Sequence, residues 1–340
     1  MIAFQYNVIS SRARNLGLAK RDFGDDYIAL RSKWQSLALS VQKLFVIVGP
    51  TAIGKSDLAL KLARDMHGEI VSADSRTIYR GMDIATAKPS RADQELVPHH
   101  LIDVVEPDEE LTLADYQQRA YNAIDDIFAR GKIPLLVGGT GLYVRAIVEG
   151  YNIPRVPPNI SRRSELEQIP APELYAHLQT LDPDIAQTIL PNNTRRMIRA
   201  LEVIEATGAK MSAQQTRHPP PYPALQIGLQ LPRSLLYARV DARIEKMMAN
   251  GLVNEVRGLV ARGYSFQLPS MTSLGYREIG AFVRGEISLE EAVILLKSNT
   301  RKFIRHQANW FRPTDARIRW FDLSISSYDD IQEFVASQVP

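Results

Sequence analysis

Six short apolar runs punctuate the chain. Leu44-Phe-Val-Ile-Val48 and Ile133-Pro-Leu-Leu-Val137 are unbroken, the pattern of strands covered on both faces. Glu69-Ile-Val-Ser72 and Leu101-Ile-Asp-Val-Val105 are mixed, Leu225–Leu231 alternates apolar with polar positions, and Ile318–Leu323 reads as one more strand. Between them the apolar period lengthens to that of helices: after Asp57, over Thr112–Arg130 with Thr112 as cap, over Arg233–Asn250 with Gly251 as stop, and over Ser288–Phe311. Strands alternating with helices predict an α/β fold with a parallel sheet and flanking helices.

The pattern breaks at Pro154, Pro157 and Pro158, and beyond them the periodicity is helical: Ser161–Gln168, Pro172–Thr180, Asp182–Ile189 and Thr194–Thr207. The proline cluster after His218 closes this stretch. The predicted organisation is a core made of 43–151 and 225–323, a mainly helical insertion at 152–224, a tail at 324–340, and an N-terminal extension at 1–42 of low order. That extension has no sustained signal-peptide core, and Arg12 and Arg14 follow its apolar start instead of preceding it.

The first strand runs into Gly49-Pro50-Thr51-Ala52-Ile53-Gly54-Lys55-Ser56, and a helix comes next. This is G-x-x-x-x-G-K-[ST] in its strand-to-helix context, a phosphate-binding loop. Its glycines let backbone N–H groups face a polyphosphate, and the helix N-terminus adds positive potential. Lys55 is expected at the terminal phosphates and Ser56 on Mg2+. Ligands of open parallel sheets sit at the carboxyl ends of the strands, so Gly49–Ser56, Asp74–Ser75 and Gly138–Thr140 are expected around one pocket.

Composition excludes several alternatives. The chain has 340 residues with no cysteine, which rules out disulfides, zinc thiolates and iron–sulfur clusters and fits a reducing, cytoplasmic setting. No apolar run approaches the length of a membrane span. With 41 basic against 38 acidic residues the net charge is only +3. That balance is compatible with nucleic acid without indicating it.

The fourth strand ends in Gly138-Gly-Thr140, where an NTP hydrolase would place a carboxylate for Mg2+ and water. Asp74 is the acid in a comparable place. It is read as a general base, with Mg2+ binding through water or a turn cap as the competing roles. Thr140 is read as a hydroxyl near the reacting group, against a plain turn role. Basic residues gather at Arg162, Arg163, Arg195, Arg196 and Arg199 in the insertion. A second group, Lys297, Arg301 and Arg305, lies one helical turn apart, with Gln307, Asn309 and Trp310 nearby. Acidic residues are absent from Lys297 to Arg312, so this helix suits a phosphate backbone and unstacked bases.

Taken together, these segments resemble the tRNA dimethylallyltransferases, also called tRNA isopentenyltransferases. The matching stretches are the phosphate loop, Asp74-Ser-Arg-Thr-Ile-Tyr-Arg-Gly-Met-Asp-Ile84, Thr86-Ala-Lys-Pro89 and His99-His-Leu-Ile-Asp103. Pro134–Thr140, Arg195–Glu202, Gly275-Tyr-Arg-Glu278, Thr300–Gln307 and Trp310-Phe-Arg312 continue the series in family order. Ile53 and Met271-Thr-Ser-Leu274 depart from the commonest forms. The resemblance implies transfer of a dimethylallyl group from dimethylallyl diphosphate to N6 of adenosine 37 of tRNA, with Mg2+. It further implies recognition of the anticodon stem-loop by a monomer. It makes Asp74, Lys55 and Thr140 catalytic. The implied tRNA contacts are Asp74, Ser75, Arg76, Thr77, Thr140 and Arg162, then Arg195, Arg196, Met197, Ile198 and Arg199. They continue with Thr272, Ser273, Leu274, Gly275, Tyr276 and Arg277, and the basic helix adds Arg301 and Arg305. An adenylate isopentenyltransferase and a small-molecule P-loop kinase are the alternatives.

Overall fold

The structure, a computed structural model, describes residues 42–218 and 222–338. The expectation for the N-terminal extension lies outside the described residues except at its last position. Six parallel strands form one sheet in the order β3-β2-β4-β1-β5-β6. They are β1 (Leu44–Val48), β2 (Gly68–Ser72), β3 (His99–His100), β4 (Ile133–Val137), β5 (Ala224–Gln230) and β6 (Ile318–Asp322). The register pairs Phe45 with Leu135 on one side of β1 and with Leu225 on the other.

Side chains alternate across the sheet, so β1 feeds two cores. Phe45 and Ile47 join one cluster, whereas Leu44, Val46 and Val48 join the other. The first face is covered by six helices: α1 (Lys55–Met66), α10 (Arg233–Ala249), α11 (Leu252–Ala261), α12 (Tyr276–Val283), α13 (Leu289–Gln307) and α14 (Tyr328–Ser337). The second is covered by α3 (Leu113–Ala129) and α4 (Gly141–Val148). Thr112 caps α3 as expected, its Oγ1 accepting the Asp115 N–H at 3.2 Å. Each fully buried Leu, Ile or Phe in these clusters contributes about 1.5–3 kcal/mol.

One expectation changes. Leu101–Val105 is not a strand; β3 ends at His100. Leu101 and Asp103 take left-handed backbone angles, φ 63° and 54°, and the Asp103 carboxylate accepts the ammonium of Lys88. Backbone bonds to the segment after β2 replace sheet pairing: the Asp103 and Val104 N–H groups donate to the Thr77 and Ile78 carbonyls at 3.1 and 2.8 Å, and the Lys88–Asp103 ion pair adds to them. The tail at 324–340 carries α14, with Ile331 and Val335 in the first core and the Tyr328 hydroxyl donating to Asp65 at 2.7 Å.

The region between α4 and β5 is helical, as its prolines suggested: α5 (Ile160–Glu167), α6 (Ala171–Leu181), α7 (Pro183–Gln187), α8 (Thr194–Thr207) and the short α9 (Met211–Gln214). It has its own hydrophobic cluster around Leu166, Leu174, Leu178, Met197 and Leu201. The remaining helix, α2 (Arg91–Leu96), lies between β2 and β3 and carries a complete capping box from Ser90 and Asp93.

Candidate active site

The phosphate loop turns between β1 and α1 through left-handed angles at Ala52 (φ 63°) and Gly54 (φ 104°). Ile53 points inward and is fully buried, which anchors the loop to the first core. The Lys55 ammonium folds back to donate to the Pro50 carbonyl at 2.8 Å. Burial lowers its pKa to about 8, against the pull of Asp74 that favours the charged form; Arg243 adds to the lowering. Ser56, in the first turn of α1, is exposed.

Two more strand ends close on this loop. Gly138 lies so near the Ala73 carbonyl that no side chain fits there. The Thr140 N–H donates to the Ala73 carbonyl at 3.2 Å, and Thr140 Oγ1 accepts the Ser75 N–H at 3.0 Å. The Thr140 hydroxyl lies 3.3 Å from Ser75 Oγ and makes no cap bond to α4. It therefore ties the Asp74 turn to the end of β4. Within that turn Asp74 Oδ1 accepts the Arg76 N–H at 2.8 Å, while Oδ2 accepts no hydrogen bond from the described residues. The carboxylate thus performs the turn-capping role with one oxygen and leaves the other without a partner among the described residues, so the capping reading does not exclude the other.

A cavity of about 360 Å³ lies over these segments. Thr51, Asp74, Ser75 and Thr140 line one side, and Val240, Ile244, Met247 and Leu296 give an apolar wall from α10 and α13. The three segments expected around one pocket do converge.

The sequence reading missed three side chains. Arg243 of α10 lines the cavity and donates from Nη1 to Thr51 Oγ1 at 3.2 Å. Burial lowers its pKa, and the nearby Asp74 carboxylate opposes that. Arg239, one turn earlier, donates to the Ile53 carbonyl at 3.0 Å. Gln307, grouped with the outward-facing residues of the basic helix, is instead buried and bridges two loops: its Oε1 accepts the Thr51 N–H at 2.9 Å and its Nε2 donates to the Gly139 carbonyl at 3.0 Å. The R-x-x-x-R spacing of Arg239 and Arg243 on one helix face was the available signal.

The residues read as tRNA contacts divide by position. Thr272, Ser273, Leu274, Gly275, Arg76 and Arg277 border the cavity. Arg277 is held by the buried Glu278 at 2.6 Å. Arg195 and Arg196 are exposed on α8. Met197 and Ile198 point into the insertion's core, because they occupy the apolar face of the amphipathic α8; their side chains do not reach a surface. Tyr276 is likewise buried and donates to Glu255 at 2.7 Å, and Thr77 is buried against Ser72 Oγ at 3.0 Å.

The cationic residues are more committed than their spacing suggested. Lys297 pairs with Glu245 at 3.0 Å and Arg301 with Asp241 at 2.5 Å, both across to α10. Arg162 pairs with Glu165 and Glu205, while Arg163 and Arg199 share Glu202. Arg305 is exposed, with no ion-pair partner among the described residues.

A family model described as IPP transferase matches residues 77–314. The chain belongs to that family. A tRNA dimethylallyltransferase of Roseiflexus castenholzii is 56% identical over 273 residues, covering 79% of this chain and 89% of the relative. A tRNA dimethylallyltransferase of Herpetosiphon aurantiacus is 48% identical over 297 residues, covering 86% and 94%. Among solved structures, the full-length tRNA isopentenylpyrophosphate transferase of Bacillus halodurans superposes with a TM-score of 0.66 at 39% identity, over 88% of this chain and 97% of that one. A eukaryotic dimethylallyltransferase captured acting on tRNA gives 0.75 at 26% identity, over 88% and 80%. The family match begins after the phosphate loop and Asp74; of these elements Thr51, Ala52 and Asp74 line the cavity.

Proposed function

We propose that this protein transfers a dimethylallyl group from dimethylallyl diphosphate to N6 of adenosine 37 in tRNA. The observation that carries the reading is one cavity with two chemistries. Thr51 and Ala52 of the phosphate loop line it with Arg243 and the Asp74 carboxylate, Lys55 of the same loop is close enough to couple to that carboxylate, and an apolar wall of Val240, Ile244, Met247 and Leu296 flanks them. A hydrolase needs a water-holding carboxylate at the end of β4, and that position carries Gly138-Gly-Thr140. An allylic diphosphate needs what is present: anion binding for the leaving group and a dry surface for five carbons.

The bond from allylic carbon to diphosphate oxygen breaks, and the electron pair leaves with the diphosphate. The bond from N6 to that carbon forms, and the N6 proton passes to Asp74 Oδ2. The exocyclic amine is a weak nucleophile because its lone pair is delocalised into the purine, so removing the proton as the bond forms lowers the barrier. The loop amides, Lys55 and Arg243 stabilise the charge growing on the leaving group. The exposed Ser56 hydroxyl at the start of α1 suits a hard divalent cation, and Mg2+ held there would neutralise part of the diphosphate charge. A base stacked in a loop must swing out to reach this depth.

The anticodon stem-loop as docking element, the insertion as its platform, a monomeric working unit and a cytoplasmic location belong to the same proposal. Arg195, Arg196, Arg277 and Arg305 are its best-placed contacts, by exposure and by position at the cavity. Competition between tRNA and AMP for labelled dimethylallyl diphosphate tests the acceptor. Label in tRNA alone is expected; label in AMP, or phosphate released from ATP, would support the adenylate transferase or the kinase.

A further inference from the structure

The cavity is built from separate pieces of chain, and one side chain spans two of them. Gln307 sits in the last turn of α13, only 5% exposed. One end accepts the Thr51 N–H of the phosphate loop at 2.9 Å, and the other donates to the Gly139 carbonyl at 3.0 Å. Gly139 adjoins Thr140, whose hydroxyl holds the Asp74 turn through Ser75. A side chain at Gly139 would collide with the Gln307 amide, so the two are fitted to one another. A continuous path therefore runs from the diphosphate side, through one amide group, to the carboxylate side.

We propose that Gln307 is a positioning residue for the transfer. It sets the distance between the phosphate loop and the Gly139–Thr140 segment, and so between the leaving group and the proton acceptor. The inference rests on the transferase reading of this cavity. Both amide functions are needed: the oxygen as acceptor for Thr51 and the nitrogen as donor to Gly139. Without the bridge the two loops are tied only through the pairing of β1 with β4 beneath them, and misplacement of about 1 Å can cost about 10²-fold in rate.

The test compares wild type, Gln307→Met and Gln307→Glu in steady-state prenylation of tRNA. Methionine fills the volume and makes neither hydrogen bond. It is expected to lower kcat by about 10- to 100-fold and to raise KM for dimethylallyl diphosphate, while the tRNA dissociation constant stays within about two-fold. Glutamate discriminates further. Ionised, it keeps the acceptor and loses the donor; protonated, it restores both, since its O–H donates to the Gly139 carbonyl. The ratio of Gln307→Glu to wild-type kcat is therefore expected to rise as pH falls. The charged groups sharing this wall are Asp74, Arg76, Arg243, Arg277 and His306, with Lys55 on the loop itself. They are common to both proteins, so taking the ratio isolates position 307.

A Gln307→Met enzyme with wild-type kcat would overturn the proposal, as would a pH-independent Gln307→Glu ratio. If the Gln307→Met variant fails to fold, the Gln307→Glu ratio decides alone. Absence of prenylation by wild type would instead sink the transferase reading.

Discussion

Asp74 Oδ1 accepts the backbone N–H of Arg76 at 2.8 Å. The bond closes the turn after β2, and Asp74 lines the cavity with Oδ2 accepting no hydrogen bond among the described residues. This arrangement separates the structural role of Asp74 from its chemical one. In Asp74→Asn the amide oxygen keeps the turn but cannot take a proton. In Asp74→Ala the turn is lost as well. Both are expected to lose about 10²–10⁴ in turnover, with tRNA affinity within a few-fold. If Asp74→Asn keeps more than about a tenth of wild-type turnover, proton transfer to this residue is ruled out as a main contribution.

Lys55 gives a pH signature. Its pKa stands at about 8 instead of 10.5, so the free protein loses this charge as pH rises past about 8. A bound diphosphate favours the ammonium, so binding above pH 8 takes up a proton and affinity declines with rising pH. Calorimetry of diphosphate binding in buffers of different ionisation enthalpy measures that uptake directly. It should vanish in Lys55→Met, and uptake of equal size in that variant would assign the proton elsewhere. The stability linkage has the opposite sense to that of a raised lysine. Between about 8 and 10.5 the unfolded chain holds the proton that folded Lys55 lacks, so this group's contribution improves as pH rises.

The basic helix is expected to act unevenly. Lys297 and Arg301 already face Glu245 and Asp241, whereas Arg305 is open to solvent. If Arg305 meets a tRNA phosphate, Arg305→Ala should reduce the slope of log affinity against log salt by about 0.7–0.9. Arg301→Ala should change it less, because it also frees a carboxylate. Affinity for dimethylallyl diphosphate should stay constant in both. Equal slopes for wild type and Arg305→Ala would leave that arginine a solvated surface residue.

Gly138 tests the packing that brings β2 and β4 together. A methyl group there meets the Ala73 backbone carbonyl, which cannot rotate away. Gly138→Ala is expected to cost about 1–3 kcal/mol in chemical denaturation. Gly258→Ala is the matched control: it lies within α11 with nothing in the space a Cβ would fill, and should gain up to about 1 kcal/mol. The reverse order of the two variants would refute the close approach.

Much of this site is legible in local sequence because its parts are backbone motifs. Gly49–Ser56 encodes its own turn, and the apolar runs at Leu44–Val48 and Ile133–Val137 fix the strands that carry it and Thr140. What escaped depends on contacts between distant segments. Nothing local distinguishes Gln307 from its basic neighbours, and only the packing of α13 against the loops after β1 and β4 turns it inward. Arg243 reads as one charge on a long helix until Thr51 is seen beside it. Leu101–Val105 has strand composition, yet its backbone bonds go to Thr77 and Ile78, far along the chain, and leave it a loop. Met197 and Ile198 lie between arginines in sequence, but the helical period sends them to the opposite face.

The central claim is that the cavity joins an allylic diphosphate to a tRNA adenosine. The most direct measurement is mass spectrometry of nucleosides from tRNA incubated with this protein, Mg2+ and labelled dimethylallyl diphosphate. The account predicts labelled N6-dimethylallyladenosine, confined to the fragment that contains adenosine 37, with one diphosphate released per group transferred. Unlabelled tRNA, with diphosphate released by hydrolysis or with label appearing in AMP instead, would contradict it.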